Sequence, residues 1–215
     1  MISFHNITKT FGAHTVLNGI SFTIQPNEFV LLKGASGAGK STVISLLIGA
    51  EKPEHGTIEV DGMMVSEMDD DTLQMYRRKV GVVFQDYKLL SKKTVFENVA
   101  FAMEVCGESN EEIHRRTPEV LEKVGLLQFQ DKFPEQLSGG EMQRLAIARA
   151  LVHSPRLIIA DEPTGNLDEG NVRGIMHIFK RLHEEGATIL ITTHDPIIEQ
   201  LVQARVMTLE EGRII

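Results

Sequence analysis

Residues 34–41 read GASGAGKS, and this stretch limits the possible folds more than any other part of the 215-residue chain. It matches G-x-x-x-x-G-K-[ST], follows the strand-like FVLLK and precedes the helical STVISLLIGA. The glycines let the backbone curl until successive N–H groups point at phosphate oxygens, an approach that side chains would block. The helix that follows adds the partial positive charge of its N-terminus. On this reading Gly34, Ala35, Ser36, Gly37, Ala38, Gly39, Lys40, Ser41 and Thr42 form a phosphate cradle. Lys40 reaches the β- and γ-phosphates, and the Ser41 hydroxyl is a ligand for Mg²⁺.

A strand-to-helix phosphate loop belongs to an α/β fold, and the rest of the chain agrees. Short β-type runs recur at Ile20–Ile24, Phe29–Leu32, Thr57–Val60, Val80–Phe84, Leu157–Ala160, Thr188–Thr192 and Arg205–Leu209, with helical stretches between them. LIIA and TILIT are apolar without a period of two, which predicts central parallel strands covered on both faces. The first sixty residues alternate and turn instead (SFHNITKTF, GISFTI, GTIEVDG), which predicts an antiparallel β subdomain on the flank. Between about Asp86 and Ser154 no strong strand occurs, while 95–105, 110–124 and 141–153 carry helical apolar spacing. The expected organisation is one domain over 1–215. Its catalytic core comprises 1–85 and 155–215, and a helical subdomain is inserted at 86–154.

Composition removes several function classes. Twenty-two basic against thirty acidic side chains leave a net charge of −8, which argues against gripping nucleic-acid phosphates. The single cysteine, Cys106, cannot form an internal disulfide. The start MISFHNITKT has no signal-peptide pattern and no apolar run approaches the ~18 residues of a membrane span. The expectation is a cytosolic protein whose membrane role is peripheral. Scattered histidines without ligand spacing predict Mg²⁺ as the only metal. The basic cluster Arg77-Arg78-Lys79 and the acidic run Asp69-Asp70-Asp71 read as solvated surface and a helix start.

LIIADE at 157–162 is an apolar strand ending in two carboxylates. With a nucleotide nearby, Asp161 holds Mg²⁺ and Glu162 polarises the water that attacks the γ-phosphorus. The alternative is that both cap the next helix from a surface loop. At 137–144 the chain reads LSGGEMQR before LAIARALV, so Ser138, Gly139 and Gly140 open a helix and present a hydroxyl and N–H groups as an anion site.

LSGGE, the phosphate loop, LIIADE, Gln85 after GVVF, NLD at 166–168 and His194 after ITT occur in one order across residues 11 to 194. This constellation resembles the nucleotide-binding subunits of ABC transporters, which implies a P-loop NTPase core of the ABC ATPase type. The resemblance further implies a homodimer in which the LSGGE of one subunit (Ser138, Gly139, Gly140, Glu141) covers the γ-phosphate of an ATP held by the other. It makes Gln85 a sensor of Mg²⁺ and attacking water, His194 a γ-phosphate contact that orients Glu162, and Asp168 a residue reaching across the interface. Phe11 stands where relatives stack an aromatic ring on adenine, here without the commoner tyrosine hydroxyl. The implied cofactors are ATP and Mg²⁺.

Within the family, GVVFQDYKLLSKKTVFENVAFAMEVCGE, FPEQLSGGE and DEPTGNLD resemble the cell-division branch. That branch pairs with an integral membrane partner regulating cell-wall hydrolysis, and it places the chain on the cytoplasmic face of the cell membrane. ATPases of lipoprotein release and macrolide efflux share DEPTGNLD and remain an alternative, as does an ATP-switched scaffold with negligible hydrolysis. Tyr87, Leu89 and Leu90, read as exposed, are the expected dock for a short helix of the membrane partner, with at least one of Leu89 and Leu90 expected to pack the lobe instead.

Overall fold

A computed structural model describes all 215 residues. Strands β1 (Ile2–Phe11) and β2 (His14–Ile24) form a hairpin that pairs through β1 with β4 (His55–Val60), which in turn pairs with β5 (Met63–Met64). Every pairing in this four-stranded sheet is antiparallel. β1 is longer than the short runs expected from sequence. Its register shifts between Phe4 and Ile7 and again between Ile7 and Lys9, with Asn6 at φ 50°. Such bulges break the period of two while the strand continues.

The second sheet contains β3 (Phe29–Lys33), β6 (Val80–Val83), β7 (Leu157–Asp161), β8 (Thr188–Thr193), β9 (Arg205–Glu210) and β10 (Arg213–Ile214). Its order is β10-β9-β3-β8-β7-β6, parallel except for the β9/β10 hairpin. LIIA and TILIT therefore lie inside the sheet, as their unbroken apolar character predicts. Leu31, Ile158, Ala160, Ile189 and Ile191 enter one apolar core, whereas Val30, Leu32, Leu157, Ile159 and Leu190 enter the other. Each fully buried aliphatic side chain contributes roughly 1.5–3 kcal/mol, so both faces hold the sheet together.

Helix α1 (Lys40–Leu47) packs in the core shared with the antiparallel sheet. Helix α2 (Asp70–Arg77) opens with Asp69, whose side chain accepts from Thr72 N–H, so the acidic run is a helix start. Arg77 is not simply solvated: its Nε and Nη2 donate to the Ile48 and Gly49 carbonyls just beyond α1. A guanidinium there satisfies carbonyls that the helix cannot.

Between β6 and β7 lie α3 (Val95–Val105), α4 (Asn110–Lys123) and α5 (Gly139–Leu151), which pack together on the opposite face from α1. Helix α6 (Glu169–Glu184) and the short α7 (Ile197–Leu201) complete that layer. No helix is long and apolar enough to cross a membrane.

The segment joining β6 to α3 departs from expectation. Tyr87, Leu89 and Leu90 are half-buried rather than exposed; Leu89 packs against the helical core, as expected of one of the two leucines, and so does Tyr87. Tyr87 and Lys88 both take positive φ, 58° and 51°, and their carbonyls accept from Arg149 Nη2 and Nη1 at 2.8 and 2.6 Å. Farther on, the fully buried Asn98 accepts from Leu90 N–H and donates to the carbonyls of Leu90, Lys93 and Thr94. One side chain thus ties Leu90 to Lys93 and Thr94 at the start of α3. Asn98→Ala should lower unfolding stability by ~2–3 kcal/mol, because buried backbone groups lose their partner; urea titration followed by circular dichroism measures it.

Candidate functional site

Parallel strands in register end at the same level, and three of them deliver the motifs to one edge. Lys33 lies opposite Thr193 and Asp161 opposite Thr192, so Gly34, Glu162 and His194 follow strands that finish side by side. Open α/β sheets bind ligands at this carboxyl edge of their strands.

The loop from β3 to α1 is shaped by its glycines for two different reasons. A Cβ on Gly34 would lie 2.6 Å from the Leu209 carbonyl oxygen, so β9 leaves no room for one. Gly39, the residue before α1, has φ 103°, a conformation L side chains rarely adopt. Helix α1 has neither a side-chain cap nor an acidic residue in its first turn. Its first N–H groups therefore lack partners within the helix, which with its dipole favours an anion. Lys40 is almost wholly buried and curls back over the loop, donating to the Gly34 and Ala35 carbonyls at 2.8 and 3.0 Å.

The Lys40 ammonium also meets Glu162 Oε1 at 3.1 Å, and Glu162 Oε2 lies 2.7 Å from His194 Nδ1. A carboxylate can only accept, so His194 donates from Nδ1 and its Nε2 is left to face outward. Glu162 takes φ 47°, held by its N–H donating to the Thr192 carbonyl and hydroxyl. The Thr192 hydroxyl in turn donates to Asp161 Oδ1 at 2.5 Å. Thr192 thus fixes both carboxylates, one directly and one through its backbone. Sequence reading missed it, although threonines closing an otherwise apolar strand were a visible signal.

A cavity of ≈ 280 Å³ gathers Ser36, Gly37, Gly39, Lys40, Ser41, Thr42, Gln85 and Glu162 with His14 and Val16 of β2. Gln85, exposed beyond β6, also borders a second cleft with Asp161, Gly165 and Asn166. Ala35 is exposed and Ala38 half-buried in the same loop. His14 had no sequence signal of its own; it lies opposite Phe11 across the hairpin. Phe11 is 47% exposed, with Lys9 Nζ 4.9 Å from its ring centroid on one side. A larger groove of ≈ 720 Å³, lined by residues such as Pro26, Arg156 and Gly186, contains none of the candidate site residues.

Not all predicted residues meet in this cavity. Ser138, Gly139, Gly140, Glu141 and Asp168 belong to a separate pair of turns at the starts of α5 and α6. Ser138 and Glu141 form a capping box: Ser138 N–H and Oγ each donate to Glu141 Oε2 at 2.7 Å, and Glu141 N–H donates to Ser138 Oγ. These Ser138 hydrogen bonds, side-chain then backbone, hold the Glu141 carboxyl below its ordinary pKa. Asp168 caps α6, accepting from the N–H and side-chain amide of Asn171, which lowers its pKa too. The exposed Asp168 carboxylate is held by the first turn of its own helix.

The chain is similar to known proteins in both sequence and fold. The sequence pattern of the family described as "ABC transporter" matches residues 17–165. The cell division ATP-binding protein FtsE of Streptococcus pneumoniae serotype 2 is 47% identical over 216 residues, covering 100% of this chain and 94% of the relative. That of Bacillus subtilis is 45% identical, covering 100% and 95%. A solved dimeric ATP-binding cassette in a post-hydrolysis state, bound to ADP and Pi, superposes with a TM-score of 0.90 at 36% identity, over 100% of this chain and 96% of that one.

Thr192→Val keeps the shape of the buried side chain and removes the hydroxyl. It should cost ~1–2 kcal/mol of stability through the lost hydrogen bonds, read as a lowered melting temperature in calorimetry.

Proposed function

The chain belongs to the ABC transporter family, in the branch of the cell-division ATP-binding proteins named FtsE, and from that premise we propose that it binds and hydrolyses ATP as the motor subunit of a cell-division complex. Two copies close around two ATP molecules, and closure passes to an FtsX-type integral membrane partner that regulates cell-wall hydrolysis. The protein then works at the cytoplasmic face of the membrane, attached through that partner. The observation that carries the reading is the Glu162 carboxylate shared between Lys40 and His194 at the mouth of the phosphate loop. Three motifs, the first more than a hundred residues before the other two, converge there on groups suited to phosphoryl chemistry.

Lys40 is already positioned to exchange the Gly34 and Ala35 carbonyls for β- and γ-phosphate oxygens. That move releases Glu162 Oε1, leaving the carboxylate oriented by His194 alone and able to accept a proton from the attacking water. His194 Nε2 is the ring nitrogen left to meet the γ-phosphate, and it donates there when the ring carries a proton on both nitrogens. Phe11 offers its open face to adenine. Opposite this cradle, Ser138, Gly139 and Gly140 of the second copy supply N–H groups and a hydroxyl, with Glu141 and Asp168 shaping their turns.

The donor set suits Mg²⁺ only together with phosphate. No cluster of three or more His, Cys, Asp or Glu side chains could hold a metal alone. The Ser41 hydroxyl, the Asp161 carboxylate and the Gln85 amide oxygen are hard ligands of the kind Mg²⁺ uses alongside nucleotide oxygens. When bound, the ion neutralises charge developing on the β- and γ-phosphates. Residues 1–85 and 155–215 act as the catalytic core, and residues 86–154 act as the lobe that relays its state through the Gln85 segment.

Glu162→Gln should retain ATP binding, slow phosphate release by roughly 10²–10⁴-fold, and accumulate closed dimer in size-exclusion chromatography. Normal turnover would contradict the assignment. Lys40→Ala should weaken ATP binding by at least about tenfold through loss of a charge-assisted contact. Titration calorimetry giving a wild-type affinity would remove Lys40 from the site.

A further inference from the structure

Gly140 lies in the first turn of α5, and the space a side chain would enter there is already occupied. A Cβ on Gly140 would lie 1.9 Å from Asn171 Oδ1 and 2.4 Å from its Cγ. A Cβ on Gly139 would meet only Leu167 Cδ2 at 3.4 Å and the Tyr87 hydroxyl at 3.7 Å. The second glycine of LSGGE thus leaves room for the Asn171 side chain of α6, which a side chain there would displace.

The contacts of Asn171 run both ways. Its N–H donates to Asp168 Oδ1 at 3.0 Å and its side-chain amide to Asp168 Oδ2 at 2.6 Å. Its Oδ1, the atom pressed against Gly140, also accepts from Arg144 Nη1 at 3.4 Å. The chemistry fixes the residue type. An NH₂ must face the Asp168 carboxylate, and an acceptor must face the Arg144 guanidinium. Aspartate would set two carboxylates together, and leucine would supply neither function.

We infer that Asn171 is a positioning residue that locks the LSGGE turn to the NLD turn, so that these two segments approach the opposite nucleotide as one body. The inference rests on the dimeric ATPase reading. Without the Asn171 side chain, Asp168 still caps α6 through the backbone N–H, so the helix persists while its tie to α5 is lost. With a methyl group on Gly140, Asn171 must leave its place and both turns shift.

A double-mutant cycle tests this in the Glu162→Gln chain, with ATP-induced dimerisation followed by light scattering and ATP affinity of the monomer by titration calorimetry at protein concentrations below dimerisation. Gly140→Ala should weaken dimerisation at least about tenfold. Adding Asn171→Ala should recover most of that loss, giving non-additivity of about tenfold, with monomer ATP affinity constant within about twofold. A purely structural role would instead move melting temperature and monomer affinity together. Should Asn171→Ala fold poorly, Asn171→Ser completes the same cycle. Equal losses from Gly140→Ala with and without the Asn171 side chain would overturn the inference alone. A Glu162→Gln chain that stays monomeric at saturating ATP would overturn the dimer reading, and the inference with it.

Discussion

Burial of the parallel sheet on both faces is the constraint from which the site follows. With each face sealed by an apolar core, β3, β7 and β8 can present polar groups only where they end. Their in-register pairing makes them end together. Gly34, Glu162 and His194 each begin the segment that leaves a strand, so they share one edge without any direct sequence relation. The short contacts of Glu162 with Lys40 and His194 are a consequence of that geometry. A shift of β7 by one residue would turn Asp161 and Glu162 to exchanged faces and undo it.

The loop at 34–41 and the strand ends were legible because their chemistry needs particular residue types in a continuous stretch. The central placement of LIIA and TILIT was legible for a related reason, since only strands covered on both faces stay apolar throughout. What escaped depends on contacts between distant segments. Tyr87, Leu89 and Leu90 read as exposed because nothing near them in sequence reveals that Arg149 and Asn98 fold their backbone against the helices. Arg77 read as surface charge because its partners, the carbonyls after α1, lie 28 and 29 positions earlier. Gly140 was visible in the motif for its N–H group, but its packing against Asn171 was not.

The helix N-termini of this chain differ in how they are capped, and the difference orders the events of nucleotide capture. Helices α2 to α6 open with a side-chain acceptor from Asp69, Thr94, Ser109, Ser138 or Asp168. Helix α1 has none, and its neighbour is an ammonium satisfied only by two carbonyls and one carboxylate. Phosphate oxygens can enter there by displacing weaker partners of Lys40. At the start of α5 they meet the Glu141 carboxylate already hydrogen-bonded to Ser138. That carboxylate repels an anion and satisfies the donors an anion would use. Capture by the phosphate loop therefore comes first. In the proposed dimer, engagement of the LSGGE turn follows when the approaching γ-phosphate competes with Glu141 for Ser138, which would make closure sensitive to whether that phosphate is still present.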